Sequence, residues 1–261
     1  MKNCNRLIAI VLILSTTLIS CKKDEIPPQP DLPPENAFVN DFSGFGESAS
    51  RSQEAFAFAA LNVAVWNTLL YLNLVVPVTA WYAVREVDPV WNKTYKAWIW
   101  SKTFNLPSGN YVAELRATVS QSNVIWEMVV SKDGGFQNFL WYSGVSDIDA
   151  SEGKWLLYKN PSDPIEYIEI EWSKPSQDHI PDVKYINAIP NHSGNGGYIH
   201  YGPLFEERYN VFYDIYQIEE DRLIEIRYHR DSAWGQVRDD VYFGNELWHC
   251  WDSDHNDIDC P

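Results

Sequence analysis

The most extended hydrophobic pattern in the chain is the uncharged stretch from Ala55 to Val84. Its apolar residues would cover every side of a helix, and Ser50 and Gln53 have capping-box spacing just before it. The pattern therefore predicts a helix from about Gln53 to Val76, ended by Pro77. Asparagine and threonine side chains within the stretch argue against a membrane span, because unsatisfied amides are costly in hydrocarbon. We expect the helix to be enclosed by the concave face of a sheet.

From about Tyr95 onward the hydrophobic period changes from helical to two, which is typical of strands. Short aromatic-rich segments alternate with turn clusters, and short connections favour antiparallel pairing. About eleven strands are predicted, at 95–104, 111–120, 124–131, 136–142, 154–158, 165–172, 183–188, 198–201, 210–218, 223–229 and 234–243. The predicted fold is mainly β, an antiparallel meander forming a curved or partly closed barrel around one N-terminal apolar helix. In outline this is similar to the half-barrel of lipoprotein carriers of the LolA kind, a likeness of fold that assigns no function.

The start of the chain has the pattern of an export signal. Lys2 and Arg6 precede an apolar run that is too short for a permanent membrane helix. The run ends in Leu-Ile-Ser before Cys21, which resembles the lipobox of bacterial lipoproteins. The resemblance implies that residues 1–20 are removed as a signal peptide and that Cys21 becomes an acylated N-terminus, carrying palmitate or a similar chain.

Residues 22–25, Lys-Lys-Asp-Glu, resemble the export tag of surface lipoproteins of the Bacteroidota. This resemblance implies an outer-membrane protein that is lipid-anchored and faces the cell surface, although the inner and outer leaflets both stay open. Prolines are frequent in residues 26–36 and favour an extended spacer. The predicted organisation is therefore a lipidated tether over 21–47 and one β-rich domain over 48–261.

Charge narrows the range of partners. The chain has 20 basic and 36 acidic residues, and the first twenty residues contribute two of the basic ones. A mature chain that begins at Cys21 is therefore strongly acidic, which disfavours nucleic acid and bare anionic lipid headgroups. The membrane contact is expected through the lipid anchor alone, and the expected ligands are an apolar small molecule or a glycan.

The last twelve residues combine two cysteines with a cluster of acids. In an oxidising compartment Cys250 and Cys260 are predicted to form a disulfide that holds the acidic C-terminal tail, with metal ligation as the minor alternative. Alternating oxygen side chains in the tail resemble the first half of an EF-hand calcium loop. The tail has neither the glycine nor the final glutamate that a complete EF-hand loop contains. The alternatives are a calcium site or a solvated acidic tail, and the candidate ligands are Asp252, Asp254, Asn256, Asp257 and Asp259.

Aromatic residues are frequent, with 12 tryptophans and 15 tyrosines. They indicate a bulky core, a stacking surface for sugar rings, or a pocket for an apolar ligand. A carrier of apolar ligands is expected to have a continuous cavity lined by residues such as Phe56, Trp66 and Tyr71. A glycan binder is expected to expose coplanar tryptophans instead.

Catalytic motifs are absent from the sequence, including the nucleophile elbow, the zinc-protease motif and the phosphate loop. Acidic residues on the strands, among them Glu171 and Asp214, leave open a carboxylate pair for glycoside hydrolysis. The sequence therefore favours a non-catalytic lipoprotein that acts as a binding or scaffold module. The alternative is a glycan-binding or glycan-processing accessory lipoprotein.

Overall fold

The computed structural model of the protein describes residues 25–35, 38, 45, 53–174 and 180–261, and the backbone alone of 71–73. A single antiparallel sheet follows chain order, with each strand paired to the next. The helices are α1 (Glu54–Arg85) and α2 (Asp240–Phe243). The strands are β1 (Val90–Asn92), β2 (Ala97–Leu106), β3 (Gly109–Val119), β4 (Asn123–Lys132), β5 (Phe139–Asp147), β6 (Glu152–Asn160), β7 (Asp163–Ser173), β8 (Asp182–Asn187), β9 (Tyr198–Pro203), β10 (Val211–Gln217), β11 (Arg222–Tyr228), β12 (Gly235–Arg238), β13 (His249–Trp251) and β14 (Asp257–Ile258).

The strands alternate between a dry and a wet face, as their period of two predicts. In β3, Ala113, Leu115 and Ala117 are fully buried, whereas Glu114 and Arg116 lie on the opposite face. There the Arg116 Nε donates to Glu114 Oε1 at 2.6 Å. The mainly β, antiparallel meander predicted from the sequence is therefore confirmed.

The sheet is open, which corrects the prediction of a partly closed barrel wrapped around a helix. Pairing runs from β1 to β14, and among the described residues no ladder joins these two edges. Helix α1 instead contacts β2 and β3 near one edge and β12 to β14 at the other. Side-chain packing against a helix, rather than strand pairing, connects the two edge regions.

Helix α1 continues past Pro77, where the sequence predicted its end. Proline removes one backbone donor and crowds the carbonyl of the residue four positions earlier, so within a helix it produces a kink where packing holds the two sides. The segments Glu54–Leu70 and Leu74–Arg85 meet at 72°. We call them the first and second limbs of α1. Neither limb alone is long and apolar enough to cross a membrane, although the bent pair together meets that length and composition.

The second limb lies in the core of the domain. Trp81 is fully buried, and its ring lies 5.7 Å from Phe38 and 5.8 Å from Trp155 of β6, measured between centroids. Burial of three large aromatic side chains contributes several kcal/mol to the free energy of unfolding. The second limb thus packs against the inner face of the sheet through Trp81.

The segment before α1 also packs on the domain, although the sequence placed it in a tether. Arg85 donates to the Pro33 carbonyl at 2.7 Å, and the Trp98 indole donates to the Pro27 carbonyl at 3.2 Å. Phe45 is buried, with its ring 5.0 Å from that of Tyr228. Core residues therefore begin before the predicted domain boundary at residue 48.

Candidate functional site

The first limb of α1 exposes an apolar face, contrary to the expectation that the helix is enclosed. Leu61, Val65 and Leu69 are 66%, 53% and 40% exposed. Their spacing of four residues places them above one another on one side of the helix. On the other side, Val63, Trp66 and Leu70 are buried. The limb therefore covers the core with one face and presents a stripe of aliphatic side chains with the other.

A groove of about 330 Å³ runs beside this stripe. One wall is formed by Val65, Trp66 and Leu69. The other wall comes from the β8–β9 loop and the β10–β11 turn, and its residues are Asn187, Gly194, Gly197, Tyr216, Gln217, Ile218, Glu219 and Glu220. Ile218 is 39% exposed and adds a further aliphatic group.

Backbone hydrogen bonds hold the loop wall of the groove in place. The Gly196 N–H donates to the Asn187 carbonyl, and the Asn187 N–H donates to the Gly197 carbonyl, both at 2.8 Å. A side chain at position 197 would meet the Tyr216 carbonyl oxygen at 3.1 Å, so glycine allows the loop to approach β10 closely. The groove is thus built on fixed backbone.

Carboxylates give the groove a negative rim. Glu219 accepts a hydrogen bond from the Ser193 hydroxyl, and Glu220 pairs with Arg222 at 3.1 Å. The next residue, Asp221, accepts a hydrogen bond from the Tyr216 hydroxyl at 2.7 Å, and this bond raises the pKa of Tyr216. No lysine or arginine is among the described residues that line the groove.

Helix α2 extends the apolar surface at the other end of the first limb. The Tyr242 ring stacks on the ring of Phe58 with 4.1 Å between their centroids. Phe58 lies about one helical turn before Leu61 in α1. Val241 and Tyr242 are both exposed. We define the α1 strip as Leu61, Val65, Leu69, Ile218 and Tyr242.

Three residues were predicted to line a ligand cavity, and of the two whose side chains the structure describes, Trp66 lines a groove and Phe56 does not. Phe56 is fully buried and packs against Phe45, Trp251 and His255, with the His255 ring stacked at 3.7 Å. The side chain of Tyr71 lies outside the described residues. The predicted continuous cavity shared by Phe56 and Trp66 is not supported, because the surroundings of Phe56 are filled by aromatic rings.

The acidic tail has a structural role that the sequence did not suggest. Asp257 accepts hydrogen bonds from the backbone N–H groups of Glu54 and Ala55, at 2.9 and 3.0 Å. Asp252 accepts from the N–H groups of Asp254 and Asn256, both at 2.9 Å. The tail thus supplies an N-terminal cap to α1 from the far end of the chain.

The predicted calcium site is not supported by this arrangement. Cation ligands need several free oxygens converging on one point, but both carboxylate oxygens of Asp257 and the Oδ1 atom of Asp252 accept from backbone donors. Asp254 and Asp259 are exposed, and Asn256 has a partner within the protein. No group of three or more His, Cys, Asp or Glu in the described part of the chain is arranged to hold a metal ion.

The predicted disulfide between Cys250 and Cys260 is confirmed, with 5.2 Å between the Cα atoms. It closes the loop that contains Asp257. The predicted lipidation site, Cys21, lies outside the described residues, as does the rest of the predicted signal peptide.

A coplanar tryptophan platform for sugars is not found. Trp91 and Trp98 are half-buried neighbours whose ring planes meet at 64°, and Trp100 is buried. None of the tryptophans, all of which lie in described segments, belongs to the exposed side chains. The glycan-binding alternative gains no support from the tryptophan geometry.

The outer face of the sheet carries a second groove, of about 630 Å³. It lies at the end of the strands that is opposite to the groove beside the α1 strip. Lys154, which lines this groove, pairs with Glu169 at 2.8 Å and with Glu171 at 3.0 Å. Hydrogen bonds to these two carboxylates raise the pKa of the lysine. Of the two carboxylates named above for glycoside hydrolysis, Glu171 thus pairs with Lys154, and Asp214 pairs with Arg227 at 2.7 Å. These charged residues therefore form ion pairs with one another on the solvated outer face of the sheet.

Three buried polar atoms lie among the aromatic rings of the core. The indole nitrogens of Trp81 and Trp155 and the hydroxyl of Tyr142 have no hydrogen-bond partner among the described residues. Burial raises the pKa of Tyr142 well above its ordinary value. These groups surround Phe38, whose ring is 4.6 Å from that of Tyr142.

Comparison with protein-family models, with curated proteins and with solved structures found no match for the chain. The α1 strip and its groove are therefore the features of the molecule that indicate a function. Sequence reasoning missed this surface because a helix that is apolar on all sides was expected to be enclosed. Ile218 and Tyr242 carried no signal in the sequence that would link them to it.

Proposed function

We propose that this protein is a membrane-anchored lipoprotein that acts as a non-catalytic binding module, with the α1 strip and its groove as the binding surface. The anchor in this proposal is the lipid on Cys21, and the protein faces the cell surface or the periplasm. The ligand or partner binds through apolar contact. Exposure of Leu61, Val65 and Leu69 on one helix face is the observation that carries the proposal.

Exposed aliphatic side chains in one stripe favour binding over a purely structural role. Single apolar residues on a surface need no explanation, but contiguous patches rimmed by polar groups mark interaction sites. The strip meets this description, since Glu219 and Glu220 border it. Contact with a ligand would remove the aliphatic groups from water, and each Å² of apolar surface buried in this way contributes about 25 cal/mol to the free energy of binding.

The position of the strip supports binding away from the anchored end. Trp98, which holds Pro27, lies at the start of β2, whereas Asn187 and Tyr216 of the groove lie at the ends of β8 and β10. Even-numbered strands run in the same direction in this meander. The end of the sheet that receives the tether is therefore opposite to the end that carries the groove.

A neutral naphthylamine dye, whose emission rises in apolar surroundings, tests the binding surface. We expect saturable binding to the purified full chain and weaker binding by Val65→Asn. Ile125→Asn is the matched control, because Ile125 is 50% exposed on β4 and does not line the groove. Equal titration curves for all three proteins would contradict the proposed surface.

Membrane attachment is tested separately by fractionation. Cys21→Ser is expected to release the protein from the membrane fraction of its host, because the acyl chains supply the anchoring free energy. Cys4→Ser, which falls within the predicted signal peptide, is the control and should leave the distribution unchanged. A Cys21→Ser protein that stays in the membrane fraction would count against lipidation.

A further inference from the structure

We infer that the α1 strip docks a basic amphipathic helix of a partner protein. This inference rests on the proposed function and specifies the chemistry of the partner. It follows from three features of the surface, which are its length, its helical spacing and the sign of the charges around it.

The dimensions of the strip match a helix rather than a small molecule. From Phe58, under Tyr242, to Leu69 the first limb advances by about 17 Å at 1.5 Å per residue. Leu61, Val65 and Leu69 form one ridge with a spacing of four residues, the row that interdigitates with a second helix in common helix packing. A partner helix of three to four turns with its own apolar stripe fits this ridge.

Acidic groups lie at both ends of the strip. Glu54 and Asp240 are exposed near Tyr242, and Glu219 and Glu220 border the groove near Leu69. Two cations near the strip are already paired within the protein. Arg222 pairs with Asp239 at 2.6 Å and with Glu220 at 3.1 Å, and Lys159 pairs with Asp163 at 2.8 Å. A partner with lysine or arginine flanking its apolar stripe is therefore complementary in charge at both ends.

The same charges disfavour two other occupants. A second copy of this chain would bring like-charged rims together, and the net charge of −16 adds to the repulsion. A bilayer with anionic headgroups would also face carboxylates rather than the lysines and arginines that attract it. A basic protein segment meets neither obstacle.

Two synthetic peptides of about 14 residues, which make four helical turns, provide the test. They share leucines at helical spacing, and the polar positions are lysine in one and glutamate in the other. Fluorescence anisotropy with the purified full chain is expected to show at least about tenfold tighter binding of the lysine peptide. The double variant Leu61→Asn/Val65→Asn should lose about tenfold in affinity for it, whereas Ile125→Asn should bind as the wild type does. Added salt should weaken the binding.

The possible failures are distinguishable. Equal affinity for the two peptides would overturn the argument from charge, and binding unaffected by Leu61→Asn/Val65→Asn would overturn the assigned surface. If the neutral dye binds at the strip and neither peptide does, the inference fails while the proposed function stands. A strip-dependent dimer in sedimentation, or strip-dependent binding to vesicles of anionic phospholipid in place of the lysine peptide, would also overturn it.

Discussion

The indole ring of Trp155 lies across Gly144 on the neighbouring strand. The two residues are directly opposite each other in the β5–β6 ladder. A Cβ atom at position 144 would overlap the Cε3 atom of the ring and lie 2.5 Å from the Lys154 carbonyl oxygen. Only glycine leaves room for a ring that lies flat against the sheet, so this position depends on the absence of a side chain.

Gly144→Ala is therefore expected to lower the free energy of unfolding by about 1–3 kcal/mol, the range for overpacking a buried site. Denaturant unfolding followed by tryptophan fluorescence measures the change. Ser143→Ala, on the outer face of the same strand, should change stability by less than about 0.5 kcal/mol. If Gly144→Ala also changed stability by no more than that, the ring would not be confined as described.

The Gly–Trp relationship occurs again between β6 and β7, where Gly153 faces Trp172, and between β12 and β13, where Gly235 faces Trp251. Alternation of apolar and polar residues predicted these strands, but it could not predict such pairs, since strand register depends on contacts between distant segments. The short strands β1, β13 and β14 were missed for a different reason. Two or three residues are too few to establish a period.

Asp257 is expected to stabilise the protein through the N-terminus of α1. Its carboxylate accepts hydrogen bonds from two backbone N–H groups in the first turn of the helix. The residue at the N-cap position, Gln53, makes no side-chain cap hydrogen bond of its own. Asp257→Ala should lower the free energy of unfolding by about 1–2 kcal/mol. Asp259→Ala, an exposed acid in the same tail, is the matched control. Equal unfolding curves for the two variants would show that the cap contributes nothing.

The disulfide is expected to act together with this cap. The disulfide closes a loop of ten residues and so restricts the unfolded chain, which contributes about 3 kcal/mol to the free energy of unfolding. Cys250→Ser/Cys260→Ser should therefore lower the melting temperature. It should also reduce the further effect of Asp257→Ala, because the freed tail holds Asp257 at the helix less firmly. Strictly additive losses would indicate that the cap forms without help from the disulfide.

Acid should destabilise the tail through Asp252. Its pKa is lowered, chiefly because the carboxylate accepts a hydrogen bond from the Asn256 N–H. A group whose pKa is lower in the folded state contributes stability that is present above its unfolded pKa of about 3.9 and lost as the pH falls through the folded value. The wild type should therefore lose more stability than Asp252→Asn between about pH 5 and pH 2. Parallel curves of melting temperature against pH for the two proteins would contradict this assignment.

The candidate site was less predictable than the sheet. Hydropathy identified the apolar segment of α1, and Trp66 was among the residues singled out for ligand contact. The exposure of Leu61 and Val65 could not be derived, because it depends on the bend of α1 and on the sheet being open. A straight helix within a closed barrel would have buried the same side chains.

Asp239 determines the position of Tyr242 in the α1 strip. Its buried carboxylate accepts from the N–H groups of Val241 and Tyr242 at 2.9 and 3.1 Å and pairs with Arg222 at 2.6 Å. Asp239→Asn keeps a cap but removes the buried partner of Arg222 and leaves the guanidinium paired with Glu220 alone. We therefore expect a loss of about 1.5–3 kcal/mol in the free energy of unfolding, the range for a hydrogen bond between charged groups. Asp240→Asn is the exposed control.

The double variant Arg222→Met/Asp239→Asn separates the two roles of this carboxylate. Removing both charges should recover part of the stability lost in Asp239→Asn, because the largely buried guanidinium that has lost Asp239 is then replaced by an apolar side chain. The asparagine can still accept hydrogen bonds from the first turn of α2, so Tyr242 should keep its place and the double variant should bind the neutral dye as the wild type does. If the double variant were no more stable than Asp239→Asn, the stability lost in Asp239→Asn would not come from the guanidinium of Arg222 losing its buried partner, and the ion-pair assignment would be overturned.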